Sequence, residues 1–111
     1  MNQKIKVYLK GNAKESYFLL KNLNDSINKT LFKSINYNID LLFKNPQLGQ
    51  PIKKRLFPKK LIKQYNISNL YRLELSNYWR LIYTIKNDDI YILIFILEIV
   101  DHKKYNKLFG Y

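Results

Sequence analysis

Apolar and polar residues alternate over Ile5-Lys6-Val7-Tyr8-Leu9-Lys10, a two-residue period that predicts a first strand, closed by Gly11. Asn12 followed by Glu15 has the spacing of a capping box and predicts a short helix over about residues 13–23, with Tyr17, Leu20 and Leu23 turned inward. Asn24-Asp25-Ser26 breaks that helix and caps a second one. There Ile27, Leu31, Ile35, Ile39 and Leu42 recur at helical spacing, while Lys29, Lys33, Asn36, Asp40 and Lys44 fall on other faces. Pro46 ends this helix, because it has no amide to donate and clashes with the preceding turn. The segment Asn45–Asn66 contains Pro46, Gly49, Pro51 and Pro58 and is expected to pack as an ordered loop across a sheet.

Period two returns at Leu70–Ser76, where Tyr71, Leu73 and Leu75 point one way and Arg72, Glu74 and Ser76 the other. A tight turn at Ser76-Asn77 leads into a strand with Trp79, Leu81, Tyr83 and Ile85 on one side and Tyr78, Arg80, Ile82 and Thr84 on the other. Asn87-Asp88-Asp89 makes a second turn. Ile90–Val100 is nearly all apolar, as expected of a central strand covered on both faces. The pattern predicts an α+β fold with one domain over residues 1–111: an N-terminal strand and two-helix hairpin packed on an antiparallel β-meander, with a short C-terminal tail helix. The two helices cover one face of the sheet, and the other face is expected to carry Arg72, Glu74 and Arg80.

Composition narrows the classes. A chain of 111 residues with 47% hydrophobic content is long enough for one real core and is not a disordered basic tail. The absence of Cys excludes a disulfide frame, a thiol nucleophile and a Cys-based zinc site, and a single His excludes a His-cluster metal centre. No metal or cofactor motif and no Gly-rich phosphate loop is evident, so no cofactor is expected. Lysines interrupt the N-terminus too often for a signal-peptide core, and the longest apolar run, Ile90–Leu97, is far short of the about 20 residues of a bilayer span. A soluble cytoplasmic protein with no membrane association is expected.

The formal charge of +12 suits a polyanionic partner: nucleic acid, an acidic protein or anionic lipid. The 17 Lys, 14 Ile and 13 Asn also fit AT-rich coding, which would supply lysines without function. Their distribution argues for more than that. Between Asp40 and Glu74 there is no acid, yet Lys44, Lys53, Lys54, Arg55, Lys59, Lys60, Lys63 and Arg72 all fall there.

On the expected open face Arg72 and Glu74 project the same way roughly 7 Å apart. A tight turn brings Arg80 within reach of both, and His102 and Tyr105 follow the last strand. Such a set suits metal-free RNA cleavage. A carboxylate or imidazole accepts the 2′-hydroxyl proton, guanidinium forks stabilise the phosphorane, and an acid protonates the 5′ oxygen. Lys53, Lys54, Arg55, Lys59, Lys60, Lys103 and Lys104 are candidate phosphate contacts, and Tyr111 is a candidate base-stacking surface. Plain alternatives stand beside each reading. Arg72 and Glu74 pair as a solvated sheet face, His102 occupies an ordinary polar turn, Tyr105 and Tyr111 pack the tail, and the lysines form a solvated loop.

The run Tyr71-Arg72-Leu73-Glu74-Leu75-Ser76-Asn77-Tyr78-Trp79-Arg80-Leu81-Ile82-Tyr83 resembles the signature of RelE/ParE-type toxins of type II toxin–antitoxin pairs. The Pro46-Gly49-Pro51 loop and the Asp101-His102-Lys103-Lys104-Tyr105 tail are similar to the same family's loop and tail. The resemblance implies a curved antiparallel sheet around helices. Its RelE branch implies ribosome-dependent mRNA cleavage in the 30S A site, and neutralisation by a cognate acidic antitoxin. By position, Arg80 matches the family's strand arginine and Arg72 a basic position one strand earlier. His102 or Lys103 matches the basic tail position, and Tyr105 or Tyr111 the aromatic one. Glu74 stands where RelE has a lysine and where related branches use a glutamate as base. The ParE branch implies the same fold with inhibition of DNA gyrase and no such catalytic set. A basic nucleic-acid-binding module without catalysis is the third reading.

Overall fold

The computed structural model describes residues 3–111. The alternating segment forms β1 (Lys4–Leu9), and the chain turns at Gly11 into α1 (Gly11–Lys21). Gly11 has φ +42°, where a side chain is strained, and a Cβ there would lie 2.6 Å from the Tyr65 hydroxyl oxygen, so another residue would also have to push Tyr65 aside. The expected capping box is absent. Lys10 is the N-cap and provides no side-chain cap, and Asn12 reaches instead to the Glu98 carboxylate. The helix therefore begins two residues earlier than the Asn12–Glu15 spacing predicted.

Asp25 does cap α2 (Ser26–Lys44), its carboxylate accepting from the Asn28 amide at 3.1 Å. The same hydrogen bonds hold the Asp25 carboxyl below its ordinary range. Leu31, Ile35 and Leu42 are fully buried along the inner stripe and Ile39 packs against it. Leu23 and Ile27, expected inside, are exposed at the corner between α1 and α2. The helix stops at Lys44, before Pro46.

The segment 45–66 is more structured than a loop. It contains β2 (Gln50–Pro51), a 3-10 turn (Lys54–Leu56) and α3 (Lys59–Tyr65). Then follow β3 (Tyr71–Glu74), a 3-10 turn at Ser76–Tyr78, β4 (Arg80–Asn87), β5 (Tyr91–Val100) and α4 (His102–Phe109). The sheet order is β1-β5-β4-β3-β2. The meander β3 to β5 is antiparallel as expected, the unforeseen β2 pairs antiparallel along β3, and β1 adds in parallel at the other side, from Lys4 beside Tyr91 to Leu9 beside Ile96. The sheet is therefore mixed.

Both faces carry a core. Against α1 and α2 lie Leu73, Leu75, Leu81, Tyr83, Ile94, Ile96 and Ile99. On the opposite face, expected to be open, Leu61 of α3 and Tyr105 of α4 close over Leu70, Ile82, Leu97 and Val100. Full burial of one such leucine is worth about 1.5–3 kcal/mol, so this second layer is a substantial part of the fold. Register explains how one strand serves both cores. Ile82 pairs with Glu98 and Tyr83 with Ile96, leaving Leu97 as an extra residue in β5. This bulge resets the alternation. Ile94, Ile96 and Ile99 face the first core, and Leu97 and Val100 the second. Among the described residues no helix is long and apolar enough to cross a membrane.

Candidate active site

Three local structures bring the polar residues of the second face together. The β3–β4 turn is closed by the Leu75 amide donating to the Trp79 carbonyl at 2.8 Å, with Asn77 and Tyr78 at positive φ of 57° and 60°. It places Glu74 directly opposite Arg80 and Arg72 opposite Ile82, so Arg72, Glu74 and Arg80 share one face. Asp101 then caps α4, accepting from the Lys104 amide at 2.8 Å. That cap starts the helix at His102, so Tyr105 and Asn106 follow on the same side one turn later. Finally, the loop before β2 is pinned by Tyr83, whose hydroxyl donates to the Pro46 carbonyl at 2.7 Å and accepts from the Gly49 amide at 2.9 Å. Burial pushes the Tyr83 hydroxyl up to about 12, outweighing the Gly49 hydrogen bond. Gln50 comes next and lies across from Arg72.

The result is a connected cluster. Glu74 lies between the two arginines, with Oε1 3.2 Å from Arg72 Nε and Oε2 3.2 Å from Arg80 Nε. The Arg80 contact is an aligned hydrogen bond to Oε1 at 3.4 Å, whereas the buried Arg72 Nε–H is not aimed at its neighbour and has no hydrogen-bond acceptor. Arg72 Nη1 donates to the Tyr105 hydroxyl at 2.9 Å and Nη2 to Gln50 Oε1 at 2.7 Å. The Tyr105 bond is the main cause holding the Arg72 guanidinium above its ordinary value. The Arg80 guanidinium carbon sits 4.5 Å from the centre of the Tyr105 ring, and its Nη1 is 3.2 Å from His102 Nδ1. Arginine can only donate, so Nδ1 presents its lone pair and Nε2 carries the ring hydrogen. Asn106 lies 3.3 Å from that Nε2, and an Nε2–H there requires the amide oxygen of Asn106 to face it.

The remaining expected residues divide. Lys53, Arg55 and Tyr111 line a cleft of about 220 Å³ together with Gln50, Arg72 and Tyr105. Tyr111 extends an aromatic row with Phe109 and Tyr105. Lys60 and Lys104 do not belong to this cleft. They line a separate cavity of about 490 Å³ around Glu98. Lys54, Lys59 and Lys103 are exposed and line neither cavity. Tyr105 is buried, with its hydroxyl accepting from Arg72 and its ring beneath the Arg80 guanidinium.

Sequence reasoning missed Gln50, Asn106 and Glu98. Gln50 had no signal in a segment read as loop. Asn106 was within reach, four residues after His102 on a helix. Glu98 was visible as the lone charge in an apolar strand. Among the described residues no group of three or more His, Asp or Glu side chains is placed to hold a metal ion.

The architecture is that of the small α+β RelE/ParE-like toxin fold. The solved structure of the YoeB/ParE toxin from Agrobacterium tumefaciens superposes with a TM-score of 0.64 over 87% of this chain and 98% of that one, at 12% sequence identity. Identity that low speaks to fold. No family model matches the sequence, and no curated protein matches it either.

Proposed function

We propose that the chain is the toxin of a type II toxin–antitoxin pair and acts as a metal-independent endoribonuclease on mRNA at the ribosomal A site. The observation that carries this reading is the convergence of Arg72, Glu74, Arg80 and His102, each within 3.4 Å of the next. Two guanidiniums on adjacent strands form a fork for a phosphodiester, where charge grows as the 2′ oxygen attacks phosphorus. Glu74 is the proton acceptor for the 2′-hydroxyl. Once the phosphodiester draws Arg80 off Nδ1, His102 takes up a proton there and, as the imidazolium, delivers one to the departing 5′ oxygen, leaving a 2′,3′-cyclic phosphate and a 5′-hydroxyl. Lys53 and Arg55 contact flanking phosphates, and Tyr111 offers a ring for a base. The fold match to a YoeB/ParE toxin supports the toxin assignment. The net charge of +12 suits an acidic antitoxin as the neutralising partner.

The test is Arg80→Ala, which removes one of the two phosphate contacts. Loss of about 3–4 kcal/mol of transition-state stabilisation lowers cleavage roughly 10²–10³-fold. Growth arrest on induction and new mRNA 5′ ends should vanish while the circular dichroism spectrum is retained; undiminished cleavage rejects the assignment. A second reading has its own support. Glu74 already neutralises both arginines, and the similar structure carries the ParE name, which fits an inhibitor of DNA gyrase. Purified protein that blocks supercoiling and leaves translated mRNA intact would establish that reading instead.

A further inference from the structure

Glu98 is 4% exposed, and the cleavage chemistry above does not use it. It lines a cavity of about 490 Å³ with Asn12, Lys60, Lys104, Lys107 and Leu108. That volume lies within the roughly 300–1,000 Å³ of small-molecule pockets. The β5 bulge aims Glu98 here: its partner is Ile82 of the second core, whereas unbroken alternation from Ile96 would have put residue 98 in the first core. Asn12 Nδ2 contacts both carboxylate oxygens, at 3.2 and 3.3 Å. A carboxylate has about four acceptor positions, so capacity for further donors remains.

The lining defines what fits. The carboxylate needs N–H donors. The three lysines exclude a cationic ligand and ask for an anion. Leu108 and Val100 offer an apolar surface to a flat ring. A neutral ring with two adjacent N–H donors and an attached phosphate meets all three demands. Guanine presents N1–H and N2–H side by side to a carboxylate. Adenine and cytosine place a ring acceptor beside their amine, and uracil flanks its single N–H with two carbonyls, so each sets a lone pair against Glu98. We infer that this cavity is a guanine-nucleotide site, with Glu98 reading the base edge and Lys60, Lys104 and Lys107 holding the phosphate. The ligand chemistry is shared by a free nucleotide and by a guanosine within an RNA chain. The site is separate from the arginine cluster: His102 and Tyr105 line one side of α4, and Lys104, Lys107 and Leu108 the other.

The test is titration of the intact protein with GMP, AMP, IMP and inorganic phosphate, followed by amide chemical shifts. GMP should bind at least tenfold tighter than AMP. IMP, which keeps N1–H and lacks the 2-amino group, should fall between them. Glu98→Gln keeps an acceptor for Asn12 and should bring GMP and AMP within twofold of each other. Lys107→Ala should weaken GMP and AMP by the same factor and leave their ratio intact. Equal binding of GMP, IMP and AMP by the unaltered protein overturns the assignment without any variant having to fold, and so does a GMP preference that survives Glu98→Gln. A 2′-O-methyl RNA tetramer with one guanosine distinguishes the sources. Tighter binding than GMP assigns the site to an RNA residue, and equal binding to the free nucleotide. No cleavage is read, so the cleavage proposal can fail while this one stands.

Discussion

Replacing Glu74 by Gln separates two roles that the structure loads onto one carboxylate. Glu74 sits where a phosphodiester between Arg72 and Arg80 would sit, 3.2 Å from each Nε. A substrate phosphate must displace it. The Glu74 side chain is 58% exposed, so each ion pair is screened and worth on the order of 0.5 kcal/mol. Together they impose about 1 kcal/mol on an incoming anion, or about fivefold in affinity. Glu74→Gln preserves shape and removes the competing charge. Binding of an uncleavable 2′-O-methyl RNA, followed by fluorescence anisotropy at fixed salt, should therefore tighten about fivefold. Single-turnover cleavage of the matching ribo-oligonucleotide should fall by roughly 10²–10⁴ as the proton acceptor is lost. Stability should fall by no more than about 1 kcal/mol, the sum of the two screened ion pairs. Tighter binding with slower cleavage is an outcome that a merely structural salt bridge does not produce. Cleavage at the unaltered rate, or weaker binding, would refute the assignment of Glu74 as both competitor and base.

Tyr105→Phe keeps the buried ring under Arg80 and removes the hydroxyl that accepts from Arg72. It should destabilise by about 1–2 kcal/mol in urea titration and lower kcat more than it raises KM. Gly49→Ala places a Cβ 2.8 Å from Tyr83 Cε1 and 3.0 Å from the Arg72 carbonyl oxygen, so β2 must shift. A loss of about 1–3 kcal/mol is expected by thermal melting, with weakened RNA cleavage because Gln50 moves with β2. Glu98 gives a pH signature of unusual sign. Burial raises its carboxyl above the ordinary carboxylate value despite Asn12, Lys60 and Lys104. Between the unfolded and folded values the native state holds a proton that the unfolded chain has lost, so stability falls as pH rises through that window. Urea midpoints from pH 4 to 7 should decline for the unaltered protein relative to Glu98→Gln; parallel curves would count against a raised Glu98.

The strands and the long helix could be read because their signals are local. Asp25 caps where its short polar side chain predicts, and Leu31, Ile35 and Leu42 bury because 3.6-residue spacing puts them on one stripe. Ile27 shares that stripe and is exposed, because the periodicity says which face is inner and not how far the sheet beneath it extends. Asn12 shows a different failure. Its capping spacing is genuine, but the helix starts at Gly11, which puts Asn12 inside it, and the Asn12 side chain donates from Nδ2 to a carboxylate 86 residues away. The 45–66 segment was hidden by its three prolines, which look like a loop and in fact begin or flank short elements: Pro51 lies in edge strand β2 and Pro58 is the N-cap of α3.

The site followed the same division. Arg72, Glu74 and Arg80 came together because a short hairpin fixes register, and register fixes which side chains are neighbours. What the alternation could not supply was the second layer. The sheet face bearing the arginines looked open, since nothing in the spacing of Leu61 or Tyr105 says that α3 and α4 fold back over Ile82, Leu97 and Val100. That layer changes the chemistry. It buries the Tyr105 ring beneath Arg80, aims its hydroxyl at Arg72 and leaves Arg80 only 17% exposed, in surroundings where its charge is less screened than on an open sheet. It also depends on one inserted residue. With unbroken alternation through Leu97, Val100 would face the first core, and α4, which begins two residues later, would start from the wrong side of the sheet. Deleting Leu97 removes that extra residue, so Glu98 follows Ile96 opposite Ile82, Ile99 and Val100 keep their faces, and His102 should stay beside Arg80 at the cost of one buried leucine. The His102 ring shifts should therefore move in Arg80→Ala and stay near those of the unaltered protein when Leu97 is deleted; equal displacement in both would refute the reading of Leu97 as the inserted residue.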